Sequence, residues 1–265
     1  MKLVRRIVVT VVVTLAVVFV GVNWVVPVAL SFYAAKKAPA VTSVVPTDLK
    51  DKTISVAPGT RLSYFGYEFE VPWTDIDDTK TKFYPKDKPE KSKVELHFHS
   101  GLRLLISSLP PKVWANQLSR EFSVSAQNLE SLFGHETMKS DYSFVQTLYE
   151  FSPDKMDHWA GLQRGLNKGE ILLMIKSVAL PKAAETGIFN IQNQNYKGFQ
   201  EGNPRVRQAE IVVDLYSDEG DIEMLFLQED YRDYRGVTQP EINRIVQSLR
   251  KAPQDESTTA QIAQK

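Results

Sequence analysis

From Ile7 to Ala35 the chain carries no charged residue (IVVTVVVTLAVVFVGVNWVVPVALSFYAA). A helix rises about 1.5 Å per residue, so a hydrocarbon core of ~30 Å needs roughly 20 apolar residues. Ile7–Val28 supplies that length. Valine and isoleucine suit strands in water, but in lipid an isolated run of this length satisfies its backbone as a helix. Trp24 and Tyr33 stand near its far end, where amphipathic rings favour the membrane–water boundary, and Pro27 marks a bend or an end. A cleaved signal peptide is the competing reading, with Lys2, Arg5 and Arg6 as its basic start and Ala38-Pro39-Ala40 as its cleavage site. The apolar stretch exceeds the roughly 7–15 residues of such a leader, so the expectation is a retained single-pass transmembrane signal-anchor. Lys2, Arg5 and Arg6 outnumber Lys36 and Lys37 across the span. That balance places the N-terminus in the cytoplasm and the rest outside the cell membrane, in the periplasm of a bacterium. The bilayer is thus an expected partner, through residues 7–35.

Beyond the span the chain reads as a linker (36–52), one extracytoplasmic domain (53–251) and a polar, disordered tail (252–265). Thirty-two basic residues balance 32 acidic ones and the pI is about 6.9, which argues against a nucleic-acid partner. There is no cysteine, which excludes a disulfide framework, thiolate metal ligands and a lipid-modified cysteine anchor.

Within the domain, Tyr67, Phe69 and Val71 alternate with Glu68 and Glu70, a half-buried strand pattern preceded by a turn at Gly66. Thr74–Lys93 is polar and proline-bearing, a loop. Val94, Leu96 and Phe98 alternate with Glu95, His97 and His99, before Arg103–Leu109. A helical region follows: Ser125 caps AQNLESLF, Ser140 caps DYSFVQTLYE, and Ser152-Pro153 opens another turn. GEILLMIKSVAL (169–180) is apolar nearly all round and reads as a buried helix, with a strand as the alternative. IFNIQN and GFQEG return to strands. QAEIVVDLY and DIEMLFLQ then form a hairpin through Ser217–Gly220, with Ile211, Val213 and Leu215 against Ile222, Met224 and Phe226. Thr238-Gln239-Pro240-Glu241 is a capping box ahead of Ile242, Ile245, Val246 and Leu249 at i, i+3, i+4 and i+7. The expected class is α+β: an N-terminal transmembrane helix, then one domain whose mainly antiparallel sheet packs against several helices.

The phrase GYEFEVPW, the central helices, the hairpin AEIVVDLY…DIEMLF and the closing INRIVQSL resemble a PsbP-like α/β sandwich over roughly residues 60–250. That resemblance implies a small non-enzymatic module that assists or binds another protein complex.

The sharpest candidate for chemistry is Glu95, His97 and His99. On a strand these share one face and could supply a two-histidine, one-carboxylate metal set. Register weighs against it. A two-residue Ser100-Gly101 loop would seat the histidines among Leu102, Leu104 and Ile106. A three-residue loop aligns the apolar residues correctly but sets Arg103 opposite His99. A solvated strand face is the simpler state. His135, after Gly134, suits a helix C-terminus. His158 has no evident partner. Asp75, Asp77 and Asp78, and separately Asp218, Glu219 and Asp221, lack calcium-loop spacing. Gly161, Gly165 and Gly169 repeat at four-residue spacing among charges, as turns do, and Thr10 and Thr14 suit bonds to their own helix. No catalytic residue and no cofactor is predicted. The expected function is a membrane-anchored binding or assembly module serving a membrane or periplasmic complex. The alternative is a hydrolase or metal-assisted enzyme with scattered residues around His97 and His99.

Overall fold

A large sheet carries a small sheet and a helix on one face and further helices on the other in this chain, whose computed structural model describes residues 25–84, 93–111, 125–158, 168–207, 210–228 and 236–252, with 114, 116 and 120. The strands are β1 (Thr47–Asp48), β2 (Thr60–Tyr64), β3 (Tyr67–Val71), β4 (Lys82–Tyr84), β5 (Lys93–His97), β6 (Leu102–Leu109), β7 (Ile188–Gln192), β8 (Lys197–Glu201), β9 (Glu210–Tyr216), β10 (Asp221–Gln228) and β11 (Arg250–Lys251). The α-helices are α1 (Val26–Lys37), α2 (Ala126–Phe133), α3 (His135–Met138), α4 (Asp141–Glu150), α5 (Lys168–Ala179) and α6 (Gln239–Ser248).

The large sheet runs β1-β7-β8-β9-β10-β6-β5-β4, antiparallel except for the parallel β1–β7 pair, so it is mixed; β11-β3-β2 form a second, antiparallel sheet. The class is α+β. Period-2 alternation gives the large sheet two chemically different faces. Ile211, Val213 and Leu215 lie opposite Phe226, Met224 and Ile222, and this face packs against the small sheet, Trp73 and α6. The other face, carrying Phe199 and Tyr216, packs beneath Leu129, Phe133, Phe144, Leu148, Tyr149, Leu172 and Ile175 of the helical layer.

Local signals explain the element ends. Ser125 and Ser140 accept from the backbone N–H of Asn128 and Ser143, capping α2 and α4. The Thr238 N–H donates to Glu241 at 2.8 Å, closing the capping box of α6. Phe65 and Gly66 take positive φ (55° and 78°), giving the two-residue turn that pairs Tyr64 with Tyr67. At Gly198 a Cβ would stand 1.8 Å from the carbonyl oxygen of Asp214, so β8 and β9 meet only because this residue has no side chain.

The segment 169–180 forms the expected helix, as α5, and not the alternative strand. Three other expectations need correction. The polar stretch 74–93 is more than a loop: it supplies β4, and Ile76 bridges to Phe98. Within residues 36–52, a 3-10 turn at Ala40–Ser43 buries Thr42, and β1 joins the sheet edge, so this stretch is docked. The β5–β6 loop has the three residues that the apolar alignment asked for, pairing Leu96 with Leu104, but they are His99, Ser100 and Gly101, so Arg103 lies opposite His97 and not His99.

The apolar run before residue 25 lies outside the described residues, as do Thr10, Thr14, Gly161, Gly165 and the tail after Ala252. Among the described residues no helix is long and apolar enough to cross a membrane. Residues 26–35 belong to α1, with Pro27 in its first turn. This helix lies on the domain: Ser31 is buried, its Oγ 2.8 Å from His158 Nδ1, and the Phe32 ring stacks on His158 at 3.8 Å. A helix held by these contacts is not surrounded by lipid, which leaves Ile7–Val25 for any span.

Candidate functional site

The predicted metal set does not assemble. Glu95 and His97 are both buried, on the face of β5 opposite Val94 and Leu96, with His97 Nε2 3.1 Å from Glu95 Oε1. Glu95 also accepts from Arg103 at 3.0 Å and Tyr84 at 3.1 Å. Burial raises this carboxyl, but those two hydrogen bonds and the nearby positive charge outweigh it and hold it below its ordinary value. His99 sits on the turn, exposed, 3.9 Å from Asp77. Among the described residues no three His, Cys, Asp or Glu side chains are grouped to hold a metal ion. Asp77 and Asp75 organise the turn: Asp77 accepts from Thr79, and Asp75 accepts from the Ser100 N–H at 2.8 Å. His135 begins α3 and contacts Glu130 in solvent.

The recessed surface lies elsewhere, around the tip of the β7–β8 hairpin. Asn193 builds that tip. Its Oδ1 accepts from the N–H groups of Asn195 and Tyr196, and its Nδ2 donates to the carbonyls of Val246 and Leu249 at the end of α6. Gln247 donates to the Gln192 carbonyl, and Asn243 donates to those of Asp51 and Thr53. Behind them Gln200 and Gln239 exchange hydrogen bonds at 2.8 and 2.9 Å, fully buried, and Gln239 also donates to Asn243. Side-chain amides thus brace hairpin, helix and the 49–54 segment into one rigid frame.

That frame encloses a cleft of about 780 Å³, whose walls include Lys52, Ile54, Tyr142, Gln146, Gln194 and Lys197. A second recess of about 350 Å³ shares Tyr142, Asn193, Gln194 and Lys197 with it and reaches Tyr196, Tyr216 and a carboxyl pair, Asp141 and Asp221. Both carboxyls are buried. Asp141 is the first residue of α4. Burial raises Asp221 to about 7, the hydrogen bond and charge of Asp141 adding to it and the Ser217 N–H opposing. A carboxyl raised to about 7 beside a second carboxyl is an arrangement that proton transfer can use.

From this pair a row of acids continues under the helical layer. Asp214 lies opposite Glu223 across β9–β10. Burial and the charges of Glu223 and Asp221 push Asp214 to about 8. Glu201, with no exposed surface, is raised by burial and by Asp214, against a weak contribution from the Tyr149 phenol. Burial also raises the Tyr149 and Tyr216 phenols.

Alternation placed Asp214 and Glu223 on an outward face, and nothing in the sequence paired Asp141 with Asp221 eighty positions away. The amide-rich stretch Gln192–Asn195 was the one local signal for the cleft. Compared with family models, curated proteins and solved structures, the chain matches none.

Proposed function

We propose that the protein is a membrane-anchored, extracytoplasmic binding module that takes an elongated polar segment of a partner protein in the two joined clefts. The observation that carries this is the amide-braced frame: walls from three separate elements are fixed in place before any ligand arrives, which limits the ordering cost of binding. Exposed Lys52, Lys139 and Lys197 rim the clefts and favour an acidic segment. The apolar run Ile7–Val25 supplies the anchor. The PsbP-like phrases point to the same class of module. A photo-cross-linking residue at Gln194, in the full chain in native membranes, is expected to give discrete protein adducts. Lys197→Glu removes them, and the same probe at Val56 gives none. Equal adducts from both positions would sink the reading.

A second reading rests on the carboxyl pair: an acid–base hydrolase using Asp141 and Asp221, in place of the histidine site expected from sequence. It requires turnover of an ester, peptide or glycoside with a pH midpoint near 7 that Asp221→Asn abolishes. Activity unchanged in that variant excludes it.

A further inference from the structure

We propose that the α1–α5 face of the domain rests on the lipid surface, so that the domain lies against the bilayer and does not swing from it. This rests on the anchor reading given above and adds an orientation to it. Along α1 the residues turned away from the domain are Val26, Leu30 and Tyr33, spaced i, i+4 and i+7 and followed by Lys37. Leu30 and Tyr33 are 58% and 61% exposed. Apolar side chains turned into water and followed by lysines suit contact with lipid at the headgroup boundary, where apolar surface is buried and the ammonium groups stay wet. Helix α5, packed against α1, exposes Met174 and Val178 one turn apart, Val178 at 83%.

Continuity selects lipid as the occupant. The uncharged run passes through Val25 directly into α1, which begins at Val26, so no polar spacer separates the two. Successive Cα atoms are about 3.8 Å apart, so whatever leaves the bilayer at Val25 brings α1 with it at the interface. The contacts of Ser31 and Phe32 with His158 then carry that position to the domain. Lys36 and Lys37, at the end of α1, add attraction to anionic headgroups.

The absence of cysteine makes the test direct. Single substitutions Tyr33→Cys, Val178→Cys and, as control, Val56→Cys (97% exposed) each carry an environment-sensitive fluorophore. The full chain is reconstituted in vesicles of phosphatidylcholine and phosphatidylglycerol. Labels at 33 and 178 are expected to be quenched by nitroxide-bearing lipid at least about fivefold more than the label at 56, and to resist aqueous iodide. If the chain floats with the vesicles but those labels are as open to iodide as the control, the orientation is wrong and the anchor stands. If they resist both quenchers, the face is covered by protein, a second copy or a partner, and the proposal falls. If the chain does not float with the vesicles, the anchor fails and the orientation with it.

Discussion

Lys176→Met is expected to destabilise the domain by about 3–5 kcal/mol, the cost of stripping a buried charge-assisted network of one partner. Lys176 has no exposed surface. Its Nζ donates to three backbone carbonyls: Val44 at 2.8 Å, Tyr149 at 2.8 Å and Phe151 at 2.6 Å. Two of these lie at the C-terminal end of α4, where a cation complements both the unpaired carbonyls and the dipole. The third belongs to the docked segment between α1 and β1. Methionine fills similar space but leaves all three oxygens without a donor. Urea unfolding of the variant checks the magnitude. Hydrogen exchange locates it, with faster exchange expected first in residues 40–48. A loss below about 1 kcal/mol would mean that water replaces the ammonium without strain.

The second large effect concerns pH. Unfolded carboxyls titrate near 4, whereas Asp221 and Asp214 are raised to about 7 and about 8, and Glu201 and Glu223 are raised too. Between these values the folded chain holds protons that the unfolded chain has released. Stability therefore falls as pH rises from about 4 to about 8. Lys176 acts in the opposite sense above that range. Burial, with the like charge of Lys155, lowers it to about 8, so the unfolded chain binds the extra proton between about 8 and 10.5 and stability recovers there. Thermal unfolding is expected to show a minimum near pH 8. Glu201→Gln, a neutral isostere of the protonated acid, is expected to raise Tm at pH 8 by roughly 5 °C, equivalent to about 2 kcal/mol, and to flatten the acidic limb. A profile that rises from pH 5 to 8 would show that the row is ionised and neutralised by something other than protons.

The sequence was most informative where a pattern repeats within one element. The β9–β10 hairpin and α6 follow from alternation and from i, i+3, i+4, i+7 spacing, because each buries one face whatever lies beyond it. The chemistry was less legible for the same reason. Period-2 alternation says that Asp214, Glu223, Glu95 and His97 face away from the first core. It does not say that helices drawn from residues 126–179 then cover part of that second face, where burial raises the Asp214 and Glu223 carboxyls. The three-residue loop that aligns the apolar residues was legible, but its position was not. Ser100-Gly101 marks the turn, but adding His99 to it moves Arg103 from His99 to His97. The lone lysine in the apolar 169–180 segment was a readable sign, since a buried amine must find acceptors. The Asp141–Asp221 pair left no trace of this kind, being made only by tertiary folding.

The order in which strands are neighbours bears on how the chain is made. β6 pairs with β10 more than a hundred residues later, β1 with β7, and β3 with β11 at the very end of the described chain. A ribosome delivers the early partners first, and each must wait, apolar face uncovered, until its mate emerges. The small sheet closes only when Arg250 reaches Glu68. Completion of the small sheet therefore waits for the segment that carries β11, and until then the half-made domain is the species most in need of protection.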